Sequence, residues 1–138
     1  MTHLSKTTAA AGVLLAAAAL LTAGPAQAAP DLTRDGDYLY LTVTTGDGHS
    51  GDTRVALLLC DPPQGHSRAA EACARLDAVG GDITRIPPAR GAMCPMLYAP
   101  VTAQARGQWN GRPIEYRETF ANPCQLAART GPVFAFED

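Results

Sequence analysis

Gln108-Trp109-Asn110-Gly111-Arg112 is the stretch from which the fold of this chain can be worked out. Asn-Gly favours a two-residue hairpin turn, because both central residues of that turn need a positive φ. Alternating runs lead away from the turn on both sides, so the stretch predicts a β-hairpin. A turn centred on Asn110-Gly111 sets the register, whose apolar side pairs Val101 with Phe120, Ala105 with Tyr116 and Gly107 with Ile114.

The polar side of the hairpin supports the same register. It pairs Gln104 with Arg117 and Arg106 with Glu115. A slip of one residue would mix the apolar and polar sides, so the agreement of both is informative. Glu118 is the exception, because it is an acidic residue on the apolar side.

Two more strands are predicted before the hairpin. Tyr38–Thr45 alternates apolar and polar residues, which is typical of a strand with one apolar face. Arg54–Cys60 is the second strand. Its apolar residues divide between the two faces, with Val55, Leu57 and Leu59 on one and Leu58 on the other.

An amphipathic helix is predicted after Asp61–Gly65, which breaks the second strand. Ser67 is a candidate cap for the start of the helix, and Gly80-Gly81 is a candidate C-terminal cap. The helix carries an apolar stripe made of Ala69, Ala72, Cys73, Leu76 and Val79.

The last part of the chain predicts a short helix over Gln125–Arg129 and a final strand over Val133–Phe136. The fold class is therefore α+β, with an antiparallel sheet of about five strands and two helices packed on it.

Residues 1–28 are predicted to be a secretory signal peptide. Lys6 supplies a positive start, Ala9–Leu21 is apolar, and Ala26-Gln27-Ala28 is a small-x-small cleavage signal. The apolar core is short for a membrane anchor. Residues 29–138 are expected to form one secreted, extracellular domain that does not enter a membrane.

The predicted mature chain is mildly acidic. Lys6 leaves with the signal peptide, so ten arginines face thirteen acidic residues and the net charge is −3. Nucleic-acid binding normally needs a basic patch, so a nucleic-acid partner is not expected.

Four cysteines in a small exported chain predict two disulfides. Three pairings are possible, and the most local one joins Cys60 to Cys73 and Cys94 to Cys124. A four-cysteine zinc site is the alternative, but no two cysteines have the C-x-x-C spacing.

Residues 91–100 are apolar but are predicted to form a loop. Pro95 fixes φ and has no N–H for a sheet ladder, and Pro87-Pro88 and Pro100 bracket the run. The loop should display Met93, Met96, Leu97 and Tyr98. A rigid extended segment with an apolar centre is suited to a protease cleft, because pre-ordering lowers the entropy lost on binding. The alternative is an ordinary loop that covers the edge of the core.

Catalytic chemistry has little support in the sequence. Beyond the signal peptide the histidines are His49 and His66, both in glycine-containing loops where solvated histidines are common. There is no Gly-x-Ser-x-Gly nucleophile motif. We expect no enzyme, metal site or cofactor; a small hydrolase using His66 or His49 is the remaining enzymatic alternative.

The chain resembles the Streptomyces subtilisin inhibitor family. The most specific match is Met93–Val101, which is similar to the family's reactive-site segment. The other matches follow in the family's order along the chain and are Ala78–Asp82, Gly107–Arg112, Thr119–Asn122 and Val133–Phe136.

The resemblance implies a secreted homodimeric inhibitor of subtilisin-type serine proteases, with Met96 as the primary specificity residue and Met96–Leu97 as the reactive bond. The long apolar side chain of Met96 agrees with this specificity and extends the expected targets to chymotrypsin-like proteases, with poor inhibition of trypsin. It also implies that Asn122 braces the loop from behind, and it supports the local disulfide pairing. The remaining protease-contacting residues would be Met93, Cys94, Pro95, Tyr98 and Ala99.

The chain departs from the family pattern in three places. The approach Arg90–Ala92 is less acidic than in typical relatives, and two single positions also differ. Ala99 stands where relatives commonly carry aspartate, and Pro123 stands where an acidic residue is usual. A secreted interaction protein that keeps the fold but does not inhibit is therefore the second hypothesis.

Overall fold

The computed structural model describes Gly24, residues 36–46 and residues 51–136. The chain divides into two units, Met1–Pro30 and Asp31–Asp138, and every helix and strand given below belongs to the second. Apart from Gly24, the predicted signal peptide and its cleavage site lie outside the described residues, and so does His49. Within the described part, no helix has the length and apolarity needed to cross a bilayer.

Five strands form one antiparallel sheet in the order β3-β2-β1-β4-β5. They are β1 Tyr38–Thr45, β2 Thr53–Cys60, β3 Pro63–Gln64, β4 Val101–Trp109 and β5 Arg112–Phe120. The helices are α1 Ala69–Asp77 and α2 Pro123–Thr130, and 3-10 turns cover Ile83–Arg85 and Gly131–Phe134. The predicted α+β class, with five strands and two helices, is confirmed.

The hairpin of β4 and β5 has the predicted register. Val101 pairs with Phe120, Ala105 with Tyr116, and Gly107 with Ile114. Asn110 and Gly111 have φ of 49° and 72°, the left-handed values that a type I′ turn requires. The acidic residue on the apolar side is now explained, since exposed Glu118 accepts a hydrogen bond of 2.8 Å from the Tyr116 hydroxyl at the sheet edge.

One face of the sheet carries the core. Its buried apolar strand residues pack with the apolar stripe of α1 and with α2 residue Leu126; they are Leu39, Leu41, Val43, Leu58, Val101, Ala103, Ala105, Trp109 and Phe120. In β2 it is therefore Leu58 that faces the core. Val55, on the opposite face, is 64% exposed, and Tyr40 on the same face is 54% exposed. The second face of the sheet is thus open to solvent.

The predicted strand over Val133–Phe136 is wrong. Residues Gly131–Phe134 form a 3-10 turn. The apolar side chains are still buried, because Val133 and Phe134 belong to the core cluster. Burial of a short apolar run does not distinguish a strand from a packed turn. The fifth strand is instead β3, in the stretch predicted only to break β2, where Cys60 pairs with Pro63.

The predicted cap at Ser67 is also wrong. Helix α1 begins at Ala69 after Arg68, without a side-chain cap. The hydroxyl of Ser67 donates to the Ala135 carbonyl at 3.5 Å, so it holds the C-terminal segment. The end of the helix is as predicted, since Gly80 and Gly81 both have positive φ.

Two disulfides join Cys60 to Cys73 and Cys94 to Cys124, with Cα–Cα distances of 5.5 and 5.6 Å. The first ties the end of β2 to α1. The second ties the loop before β4 to the start of α2. The local pairing is confirmed, and the four-cysteine zinc alternative is excluded because every cysteine sulfur is in a disulfide.

Gly81 is a position where only glycine fits. Its φ is +81°, and a Cβ placed there would overlap the indole of Trp109, which is fully buried. We expect Gly81→Ala to lower the free energy of unfolding by about 2–4 kcal/mol, from left-handed strain plus overpacking. Denaturant unfolding measures this loss.

Gly111→Ala is the matched control for that measurement. Gly111 has φ +72°, and a Cβ there meets nothing within 4 Å. It should therefore show the backbone strain alone, about 1–2 kcal/mol. Equal losses in the two variants would contradict the proposed clash with Trp109.

Candidate functional site

The loop of residues 87–100 holds most of the exposed large apolar side chains of the described chain. Met96 is fully exposed at 107% and Met93 at 93%, and Tyr98 and Leu97 follow at 79% and 61%. The loop contains neither helix nor strand. Burial of large apolar side chains lowers the free energy. Their grouping on one exposed segment therefore indicates a surface that binds a partner.

Main-chain hydrogen bonds hold the loop at both ends. Before the exposed residues, the Ala89 N–H donates to the Ala128 carbonyl of α2 at 2.8 Å. After them, the Ala99 N–H donates at 2.8 Å to the Ala121 carbonyl, just past β5. The Pro100 carbonyl then accepts from the Gly46 N–H, at the end of β1, at 2.7 Å. The loop therefore spans fixed points on three elements of the fold.

The side chain of Asn122 supports the centre of the loop. It is only 2% exposed, and its Nδ2 donates to the Pro95 carbonyl at 3.2 Å and to the Leu97 carbonyl at 2.9 Å. These carbonyls lie on either side of Met96. The backbone around Met96 is thus held from the protein side while its side chain points to solvent.

The same asparagine is the N-cap of α2. Its Oδ1 accepts a hydrogen bond of 3.0 Å from the Gln125 N–H, the usual capping geometry. A flip of the amide would place Oδ1 against two carbonyls and Nδ2 against an N–H. The three hydrogen bonds therefore fix the orientation of the amide, and with it the direction of its donors.

The Cys94–Cys124 disulfide fixes the loop from a second direction. Cys94 lies two residues before Met96, and Cys124 lies two residues after Asn122. The covalent tie and the asparagine hydrogen bonds both run from α2 to the segment 94–97. This short extended stretch is therefore held at several points without any regular secondary structure of its own.

The two positions that depart from the family pattern fit this arrangement. Ala99 is tied through its main chain, by the hydrogen bond to Ala121. Pro123 is the first residue of α2, where its fixed φ and missing N–H suit a helix start. Ala99 therefore helps to hold the loop through its backbone, and Pro123 starts the helix that carries the second anchor cysteine.

His66 is not the solvated histidine that its loop position suggested. The Arg68 N–H donates to its Nδ1 at 2.9 Å, so the ring proton is on Nε2, which donates to the Val133 carbonyl at 3.1 Å. Burial, with a contribution from the charge of Arg68, lowers the pKa of the imidazole below its usual value. Both ring nitrogens are occupied in holding the chain, which favours a structural role.

The anchors in Gly46, Ala89, Ala121 and Ala128 were not found from the sequence. They act through backbone N–H and carbonyl groups, so their residue types give no signal. Met96, Leu97 and the other loop residues lie on one exposed segment, and the side chain of Asn122 lies behind them. Their role in binding a partner stays a prediction at this point.

Residues 35–122 match the sequence model of the protein family described as "Subtilisin inhibitor-like". The chain belongs to this family. A Streptomyces avermitilis protein named "Putative serine protease inhibitor" is 57% identical over 136 residues, which is 98% of this chain and 92% of that protein. The "Subtilisin inhibitor" of Streptomyces albogriseolus is 41% identical over 102 residues, covering 70% of this chain and 71% of that protein.

A solved structure of similar fold is that of a complex. It is the crystal structure of Streptomyces caespitosus sermetstatin with Bacillus licheniformis subtilisin, with a TM-score of 0.62 and 33% sequence identity. The match covers 74% of this chain and 100% of that chain. The recognised resemblance is therefore confirmed.

The double use of Asn122 gives a test with two separate readouts. In Asn122→Ala both the cap and the loop hydrogen bonds are lost, and we expect the free energy of unfolding to fall by about 2–3 kcal/mol. Amide hydrogen exchange should speed up at Gln125, which reports the cap, and at Ala99, which reports the loop.

Asn122→Asp is the matched variant. It keeps an acceptor for the Gln125 N–H but has no donor for the two loop carbonyls. We expect exchange to speed up at Ala99 and to stay slow at Gln125. Unchanged exchange at Ala99 in Asn122→Asp would show that the two donated bonds do not hold the loop.

Proposed function

We propose that this protein inhibits subtilisin-type serine proteases by presenting residues 93–99 as a rigid substrate, with Met96–Leu97 as the reactive bond. The observation that carries the proposal is the full exposure of Met96 between two carbonyls that Asn122 holds. Membership of the subtilisin inhibitor-like family supports it. The structural similarity to sermetstatin, which was solved in complex with a subtilisin, supports it further.

The mechanism follows from the contrast between an exposed side chain and a fixed backbone. The Met96 side chain enters the specificity pocket, and the neighbouring main chain pairs with the cleft as an extended strand. Because the free loop is already held in shape, little conformational entropy is lost on binding. Tight binding then results from the same contacts that would bind a flexible peptide only weakly.

The support from the protein side also explains why cleavage is unproductive. Attack of the protease serine on the Met96 carbonyl carbon would break the bond to Leu97 and leave an acyl-enzyme. The new amino group of Leu97 would stay close, because the Leu97 carbonyl is bound to Asn122 and the next anchor is at Ala99. Attack of that amine on the acyl-enzyme re-forms the peptide bond faster than water can replace the segment.

The subsites follow from the order of the loop residues. Met93, Cys94 and Pro95 occupy the positions before Met96, and Leu97, Tyr98 and Ala99 follow it. Cys94 is less exposed than its neighbours and serves the disulfide, so its contact with a protease is mainly through the backbone. In this role the protein supplies the bond and the protease supplies the catalysis, so it is not itself an enzyme.

The type of pocket residue predicts the class of target. A long, unbranched thioether fits a broad apolar pocket of the subtilisin-like or chymotrypsin-like kind. In the acidic pocket of trypsin it would leave a buried carboxylate without a partner. We therefore assign the protein to proteases that cleave after large apolar residues.

Export completes the proposal. Residues 1–28 act as the signal peptide, and residues 29–138 are secreted into the extracellular medium. Two disulfides in one small domain support an oxidising compartment. The target proteases are accordingly extracellular.

The open face of the sheet supports a homodimer. Val55 and Tyr40 are mostly exposed there, and the half-buried Leu57 and Leu59 lie on the same face as Val55. A two-fold related copy would cover this face with the same residues.

The dimer is tested with Val55→Glu and Ala70→Glu. Both add one negative charge at an exposed site, but Ala70 is on α1, on the other side of the sheet. We expect sedimentation equilibrium to show monomers for Val55→Glu, because a charge would be buried in the interface, and dimers for Ala70→Glu. A dimer unaffected by Val55→Glu would place the interface elsewhere.

The pocket residue is tested by titration against active-site-counted subtilisin and trypsin. The unchanged protein should give a sharp endpoint near one chain per subtilisin, with slow nicking only at Met96–Leu97, and poor inhibition of trypsin. Met96→Arg should strengthen trypsin inhibition by at least about 100-fold, since the guanidinium pairs with the acidic pocket. Met96→Leu is the control and should still inhibit subtilisin.

Two results would contradict the assignment. Equal potency of the unchanged protein on both proteases would show that Met96 is not the pocket residue. Rapid digestion, or no effect in excess, would favour the non-inhibitory interaction protein on the same fold.

A further inference from the structure

The methionines of this chain are distributed in an unusual way. The sequence contains three, Met1, Met93 and Met96, and Met1 lies outside the described residues. Methionine usually fills gaps in cores. Here the core consists of aliphatic, aromatic and disulfide side chains, and the two described thioethers are 93% and 107% exposed on the loop.

The other easily oxidised groups of the described chain are protected. Trp109 is fully buried. The four cysteines are joined in two disulfides, so none presents a thiol. An oxidant in solution therefore meets the sulfur atoms of Met93 and Met96 before any comparable group in the scaffold.

We propose that Met93 and Met96 form an oxidation site for peroxide-class oxidants, and that oxidation of Met96 weakens protease binding while the fold stays intact. The expected loss of protease binding rests on the function proposed above. The sulfur lone pair attacks one oxygen of hydrogen peroxide, an S–O bond forms and the O–O bond breaks. The leaving hydroxide becomes water after proton transfer, so the thioether is oxidised to a sulfoxide and the peroxide is reduced to water.

Oxidation of Met96 should weaken binding because its side chain enters the specificity pocket of the protease. A sulfoxide oxygen is a strong acceptor, and an apolar specificity pocket offers it no donor. Burial of such a group without a hydrogen bond should weaken binding to subtilisin about 10- to 100-fold. Binding free energy is lost because the sulfoxide gives up its hydrogen bonds to water and gains none in the pocket.

The fold should not respond to this change, because nothing that holds the loop involves the Met96 thioether. Asn122 binds the Pro95 and Leu97 carbonyls, and the covalent tie runs through Cys94. A fully exposed side chain leaves no cavity or clash when it gains one oxygen. The change is therefore confined to the binding surface and is reversible by enzymatic reduction of the sulfoxide.

Met93 provides the internal comparison. It is nearly as exposed as Met96 and lies on the same loop, so peroxide should oxidise it at a similar rate. It is three residues from the reactive bond and does not enter the specificity pocket. Oxidation of Met93 alone should therefore change subtilisin binding much less than oxidation of Met96.

The experiment uses the purified protein and its Met96→Leu and Met93→Leu variants. Each is titrated against subtilisin before and after dilute hydrogen peroxide, and again after treatment with methionine sulfoxide reductases. Peptide mapping locates each added oxygen by a gain of about 16 Da. Near-ultraviolet circular dichroism follows the packing of Trp109.

The expected pattern separates the two methionines. Peroxide should weaken subtilisin binding by the unchanged protein and by Met93→Leu. The Met96→Leu variant should bind nearly as well after peroxide as it does before, and the circular dichroism should not change in any of the three proteins. The reductases should restore binding. Equal loss in Met96→Leu, full potency of protein oxidised at Met96, or slow oxidation of both loop methionines would overturn the proposal.

The two proposals fail in distinguishable ways. If the untreated protein does not bind subtilisin, the proposed function fails and the binding switch fails with it. The oxidation site is then judged by the mapping alone, in which Met93 and Met96 must react faster than Trp109.

Discussion

The side chain of Asn122 is the point at which the scaffold and the exposed loop are joined. One buried amide uses its oxygen to start α2 and its nitrogen to hold the carbonyls on either side of Met96. The helix cap and the loop support are therefore supplied by the same side chain. The amide is buried, and each of its three hydrogen bonds needs a particular donor or acceptor. The loop therefore cannot move away from Asn122 without leaving buried polar groups unsatisfied.

The rest of the domain gives this amide a fixed position. Asn122 follows β5, and β5 is aligned by the Asn110-Gly111 turn and its register with β4. The loop itself leads directly into β4. The two arms of one hairpin thus carry the loop and its support, and the Cys94–Cys124 disulfide closes the same arrangement covalently. This design lets a small domain hold an apolar segment in solvent.

Rigidity in the backbone and exposure in the side chains have opposite chemical consequences. The fixed backbone is what makes inhibition rather than digestion the expected outcome. The exposed thioethers are what make the same loop open to oxidants, since burial protects Trp109 and disulfide formation protects the cysteines. A core-facing Met96 would be safe from peroxide but could not enter a protease pocket, so the two properties are linked.

The sequence by itself determined the elements in which local chemistry and periodicity agree. The hairpin register followed from Asn110-Gly111, α1 from its apolar stripe and glycine cap, and the loop from Pro95 among apolar residues. Tertiary structure decided the rest. Val133 and Phe134 pack in a 3-10 turn because a short apolar run satisfies several geometries, and β3 forms only because β2 offers it an edge. The family resemblance implied that Asn122 braces the loop, but its hydrogen bonds join residues 25 and 27 positions apart. No local pattern encodes such contacts, because only the fold brings these parts of the chain together.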